Sequence, residues 1–166
     1  AQGRGSWQSL TNQQLQQAAE CNVAGQVVIN PVTRLAKITV EVYYTANSAE
    51  ATNYLTIYML QDSIWGSQGG GNSNPEQYVN GNYCHMHILR DAITADWGDE
   101  IAPTTAGTLI TKEYVYEIPA SIGSPNGVEV DLENIAFLAF VEEKQQGATY
   151  RPILNVNELT VTQGTE

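Results

Sequence analysis

The clearest signal along the chain is strict alternation over residues 35–44. Ile38, Val40, Val42 and Tyr44 fall on one side, and Lys37, Thr39, Glu41 and Tyr43 on the other. That period of two marks a half-buried strand. A shorter β-branched stretch, residues 23–29, stops at Asn30-Pro31. Residues 54–60 are apolar or aromatic on both faces, and residues 135–141 are almost continuously apolar. Both predict strands covered on two sides. Residues 109–118 run up to Pro119, and residues 128–132 follow the Asn126-Gly127 turn signal. A last strand is predicted over 153–161. Its apolar set changes phase, from Leu154 and Val156 to Leu159 and Val161, and a β-bulge near Asn157 would produce that shift.

Three regions break the alternation. Residues 8–19 hold no Gly, Pro or β-branched run, and Trp7, Leu10, Leu15 and Ala18 or Ala19 share a helical face. A short N-terminal helix is predicted, capped by Thr11 or Asn12. Residues 66–75 are dominated by Gly, Ser and Asn and predict an irregular loop. Residues 83–95 fit a strand or a short helix, with Ile88, Leu89, Ala92 and Ile93 at helical spacing. A turn is expected at Gln145-Gln146-Gly147.

About seven strands without long alternating helices predict an all-β fold, a sandwich of antiparallel sheets. Residues 1–22 read as a helix and linker from an upstream region, and residues 23–166 as the β-sandwich domain. The chain starts Ala-Gln-Gly-Arg with no signal-peptide pattern, which reads as a mature chain or an excised piece. No apolar run approaches the ~20 residues of a membrane-spanning helix.

Charge narrows the partners. Charged residues are only 15% of the 166 positions, and 18 Asp and Glu against 7 Lys and Arg give a net charge of −11. Such a chain repels phosphate backbones, so no nucleic-acid partner is expected. Surface polarity must come from Asn, Gln, Ser and Thr, a composition common in secreted β proteins. The two cysteines, Cys21 and Cys84, form no Cys-x-x-Cys motif. They read either as unrelated buried thiols or as one disulfide, which would contribute on the order of 4 kcal/mol.

Candidate chemistry is thin. In a strand, His85 and His87 would point to one side and could share a metal, with Asp91 or Glu100 as a third ligand; two ordinary histidines is the plainer reading. Asp91, Asp96, Asp99 and Glu100 crowd around Trp97-Gly98 but match no EF-hand spacing, so an acidic solvated loop is expected. Trp65, Tyr78, Tyr83 and Trp97 fall in the irregular middle and are the candidate ligand-stacking residues. There is no nucleophile elbow, Walker loop or His-Glu-x-x-His. Glu142-Glu143 ends a strand, where neighbours face opposite sides. No catalytic residue, cofactor or metal is therefore assigned.

The run Tyr83-Cys84-His85-Met86-His87-Ile88-Leu89-Arg90-Asp91, followed by Trp97-Gly98-Asp99-Glu100 and preceded by Ile64-Trp65-Gly66, resembles a region of the outer-membrane-protein-twenty-eight family of anaerobic Gram-negative bacteria. Residues 137–142 and 153–158 resemble that family's closing strands. The resemblance implies an immunoglobulin-like domain of an extracytoplasmic, outer-membrane-associated or surface protein. The family usually carries an upstream thioredoxin-like domain with Cys-x-x-Cys; this chain shows none, so no redox role carries over. Arg90 and Asp91 read as fold-stabilising partners. The expected function is non-catalytic binding of a protein or host surface. The alternatives are a carbohydrate-binding module using exposed Trp and Tyr, or a metal-stabilised domain.

Overall fold

A computed structural model describes residues 3–144 and 151–164; the expected turn at residues 145–147 lies outside them. A 3-10 turn, Arg4–Ser6, leads into one α-helix, Trp7–Gln14. The helix begins at Trp7, so Thr11 and Asn12 sit inside it rather than capping it, and Ser6 makes no side-chain cap bond. It buries no residue, which leaves nothing to extend it to residue 19: short helices need tertiary packing to persist.

Fourteen strands follow among the described residues: β1 Cys21–Ile29, β2 Leu35–Tyr44, β3 Asn53–Gln61, β4 Ile64–Gly66, β5 Tyr78–Val79, β6 Asn82–His85, β7 Ile88–Ala92, β8 Asp99–Ile101, β9 Leu109–Glu117, β10 Ser121–Ile122, β11 Val128–Glu129, β12 Ile135–Glu142, β13 Ile153–Glu158 and β14 Thr160–Gln163. One sheet has the order β14-β1-β2-β9; the other has β13-β12-β3-β7, with β8 also beside β3. Small sheets β4-β6-β5 and β10-β11 sit outside these two. Strands β1, β2 and β9 take the positions of immunoglobulin strands A, B and E, while β3, β12 and β13 take those of C, F and G. The fold is thus the expected immunoglobulin-like sandwich.

The period of two decides what is buried. Val27, Ile29, Ile38, Val40, Val42 and Tyr44 face inward from the first sheet, and Leu55, Ile57, Met59, Phe137, Ala139 and Val141 from the second. The sheets pack through these side chains into one hydrophobic cluster, the main source of stability. Gly25 is demanded by closeness: a Cβ there would run into the Thr39 carbonyl oxygen and the Leu159 side chain.

The phase change near the C-terminus has a cause different from the expected bulge at Asn157. β13 pairs with β12 in the second sheet, and β14 pairs parallel with β1 in the first. Leu159, buried at the crossing, marks where the chain changes sheets. The irregularity in the β12–β13 ladder falls instead between Val141 and Glu142, opposite Asn155 and Ile153.

Residues 83–95 form strands, not a helix. The β3–β7 register steps from Met59↔Asp91 to Leu60↔Leu89, leaving Arg90 as the extra residue. One inserted residue shifts the apolar phase, which imitates helical spacing.

Candidate functional site

Strand β3 runs the length of the second sheet, nine residues or roughly 26 Å from end to end. Trp97 lies at its Tyr54 end and Trp65 just past its Gln61 end. The four candidate aromatics therefore do not form one platform.

At the Tyr54 end, the Trp97-Gly98 turn lies across the outer face of β3. Gly98 has φ +76°, and a Cβ there would meet the Thr56 hydroxyl at 2.7 Å and the Leu55 carbonyl at 3.0 Å. Arg151 crosses the same surface. Its guanidinium stands 5.2 Å from the Tyr54 ring centroid and 5.5 Å from that of Trp97, and it donates to the Trp97 carbonyl at 2.9 Å. It also pairs with Glu142 at 3.3 Å, whose carboxylate accepts from the Thr56 hydroxyl at 2.9 Å. Glu143 faces the other way, and burial, reinforced by Glu20 and Glu50, raises its carboxyl pKa.

At the other end, β4, β6 and β5 form a small sheet whose register sorts its side chains. Tyr83 lies opposite Gly66 and Tyr78, so these share one face with His85. The Tyr83 and His85 rings meet edge to face at 5.0 Å. A Cβ on Gly71 would strike Tyr78 at 2.8 Å and Tyr83 at 3.2 Å, so the glycine-rich segment covers this face. Trp65 lies opposite Cys84 and takes the other face.

Beside Trp65 opens a cavity of about 420 Å³. Its polar lining is Asp62, Glu129 and Asp131, the amides Gln61 and Asn134, and Ser63; Trp65, Ile64 and Val128 supply apolar surface. Local bonds hold the wall. The Asp62 amide donates to the Asn134 carbonyl at 2.8 Å, and Asn134 donates to the Asp131 carboxylate at 2.6 Å. Arg90, thrown outward by its bulge, donates to the Gln61 side chain and to the carbonyls of Val128 at 2.8 Å and Glu129 at 3.3 Å. This fixes β11 against β3.

Several sequence expectations change here. Cys21 and Cys84 are both free, so the disulfide reading is withdrawn: Cys21 is buried in the core, paired across β1–β2 with Tyr44, and Cys84 lies half-exposed in the small outer sheet. Burial, helped by Glu20, pushes the Cys21 thiol up to about 11. His85 and His87 serve different neighbours. His87 has φ +53°, which breaks the strand, and its backbone amide and ring both face Asp62, the ring at 3.7 Å. No group of three His, Cys, Asp or Glu among the described residues is placed to hold a metal. Arg90 and Asp91 stabilise the fold through separate partners: Asp91 accepts from the Tyr116 hydroxyl at 2.6 Å. Burial and that bond raise the Tyr116 pKa.

Sequence reasoning missed Arg151, Tyr54, Glu129 and Asp131. The scarcity of cations was the usable signal for Arg151: in a chain with 7 basic residues and 18 acidic ones, each cation has carboxylates to choose from.

The described geometry meets its relatives at the level of family and fold. The sequence profile of the outer membrane protein Omp28 family matches residues 2–164. The chain belongs to the Omp28 family. As an Omp28-family domain it is extracytoplasmic and associated with the outer membrane. Its fold is similar to HBP35 of Porphyromonas gingivalis, with TM-score 0.69 and 16% identity over 93% of this chain; the chain spans 45% of that protein's length. A crystallised domain of the outer membrane lipoprotein Omp28 from Porphyromonas gingivalis is similar too, with TM-score 0.53 and 18% identity, covering 89% of this chain and 92% of that one. No curated protein matched by sequence. No helix among the described residues is long and apolar enough to cross a membrane.

Proposed function

We propose that this Omp28-family domain is a non-catalytic interaction domain that binds a protein partner through its Trp65 end. The observation that carries the reading is the exposed apolar surface gathered there: Trp65, Val79, Met86, Leu89 and Val128 are each at least 40% exposed. Such surface beside a polar cavity favours a partner. Trp65 supplies a large anchor of the kind that dominates interfaces, and the carboxylates of Asp62, Glu129 and Asp131 favour a basic counterpart. Tyr78 and Tyr83, packed under the glycine-rich segment, support the platform, and Trp97 stands apart from it.

A glycan is the second reading. An indole beside amides, carboxylates and a hydroxyl is also the chemistry of a sugar site.

Binding of the purified domain to host-cell surfaces, measured for Trp65→Ala and Trp97→Ala, tests both. We expect Trp65→Ala to lose at least tenfold in affinity and Trp97→Ala to keep it. Loss after protease treatment of the cells supports a protein partner; loss only after periodate or glycosidase treatment supports a glycan. Equal binding by Trp65→Ala and the unaltered domain would move the contact surface elsewhere.

A further inference from the structure

We propose that Cys84 and Met86 form a binding site for copper(I). The Cys84 thiol and the Met86 thioether lie 3.9 Å apart on the outer sheet. Two sulfurs each about 2.3 Å from one ion can be up to about 4.6 Å apart, so a single ion fits between them without moving the backbone. Copper(I) accepts few donors, and thiolate with thioether is the soft pair that selects it over calcium or magnesium. Thioether is a poor ligand for zinc, which takes thiolate, imidazole and carboxylate.

The setting favours a cation from outside. Cys84 is half-buried and Met86 is 40% exposed, so the sulfurs are reachable. The strand β6 is held in place, its Cys84 amide donating to the Gln77 carbonyl at 2.7 Å and the Gln77 side chain to the Cys84 carbonyl at 3.3 Å. The site is thus anchored on its backbone while its sulfurs stay open. Trp65, opposite Cys84 on the same face, adds an aromatic surface of the kind that attracts cations. The net charge of −11 draws cations to the surface as a whole. On binding, the thiol proton passes to solvent as the sulfur–copper bond forms; copper stays in the +1 state.

The second thiol is a built-in control, since Cys21 is fully buried and its thiol is held protonated. The test is titration of the intact protein with copper(I) under anaerobic conditions against the chromophoric competitor bicinchoninate. We expect one copper per chain. Cys84→Ser should abolish it, and Met86→Leu, a volume-conserving change, should weaken it at least tenfold. Cys21→Ser should leave it unchanged, and X-ray absorption should show two sulfur neighbours. Equal affinity in Met86→Leu and the unaltered protein would reduce the site to a single thiol and overturn the proposal. Full binding by Cys84→Ser would overturn it as well.

Discussion

The two tryptophans at the ends of β3 are alike in exposure, 54% for Trp65 and 65% for Trp97, and opposite in circumstance. Trp97 already has its cation: Arg151 lies over its ring, bonds its carbonyl and neutralises Glu142 beneath. Trp65 borders an open cavity with three carboxylates and no cation among its lining residues. Fractional exposure therefore does not separate the two rings; what lies against each of them does. One end of the sandwich pairs its carboxylate with an arginine; at the other, Asp62, Glu129 and Asp131 have no arginine or lysine ion pair among the described residues.

That contrast breaks most sharply at Arg151. Among the described residues, Arg151→Ala leaves the buried Glu142 carboxylate with the Thr56 hydroxyl as its partner, and breaking such a pair should cost about 3 kcal/mol in urea denaturation. Gly98→Ala should cost about 2 kcal/mol by the same measurement, since the turn needs positive φ and contact with β3. If Gly98→Ala is neutral, the turn is not what covers β3. Next come the indoles. Trp97→Ala should cost about 1 kcal/mol for its cation–π partner, and Trp65→Ala within about 0.5 kcal/mol, as at an ordinary surface site. A large stability loss at Trp65 would erase the distinction between the two ends.

The smallest expected effect is in pH. Glu143 has a raised folded-state pKa, so the folded chain holds this proton more tightly than the unfolded one. Its contribution is fully present below the ordinary carboxyl value of 4.5 and is lost as pH rises through the raised value. Glu143→Gln should flatten that part of the stability–pH curve, read by urea denaturation from pH 4 to 7. An unchanged slope would mean that Glu143 is not the group responsible.

How much of this was legible depends on whether position or partnership was at stake. β2 was readable to the residue, because ten positions of alternation leave one register that buries Ile38, Val40, Val42 and Tyr44. The last strand was readable as apolar but not as two strands: Leu154, Val156, Leu159 and Val161 look alike whether the chain bulges or changes sheets. Residues 83–95 stayed ambiguous between strand and helix because the extra residue at Arg90 imitates a helical period. At the site, Trp65 was visible as an aromatic in an irregular segment, but its cavity depends on Glu129 and Asp131, more than sixty positions away. No local pattern encodes that meeting, nor the choice of Arg151 as the partner of Trp97 and Glu142.

The parallel pairing of β14 with β1 has a mechanical consequence. The described chain enters the sandwich at Cys21, at one end, and leaves past Gln163, beside Ile29 at the other. Tension applied through the two termini would load the β1–β14 ladder lengthwise, straining its hydrogen bonds together rather than one after another. A fold with this geometry resists pulling as a rivet does, not as a zip.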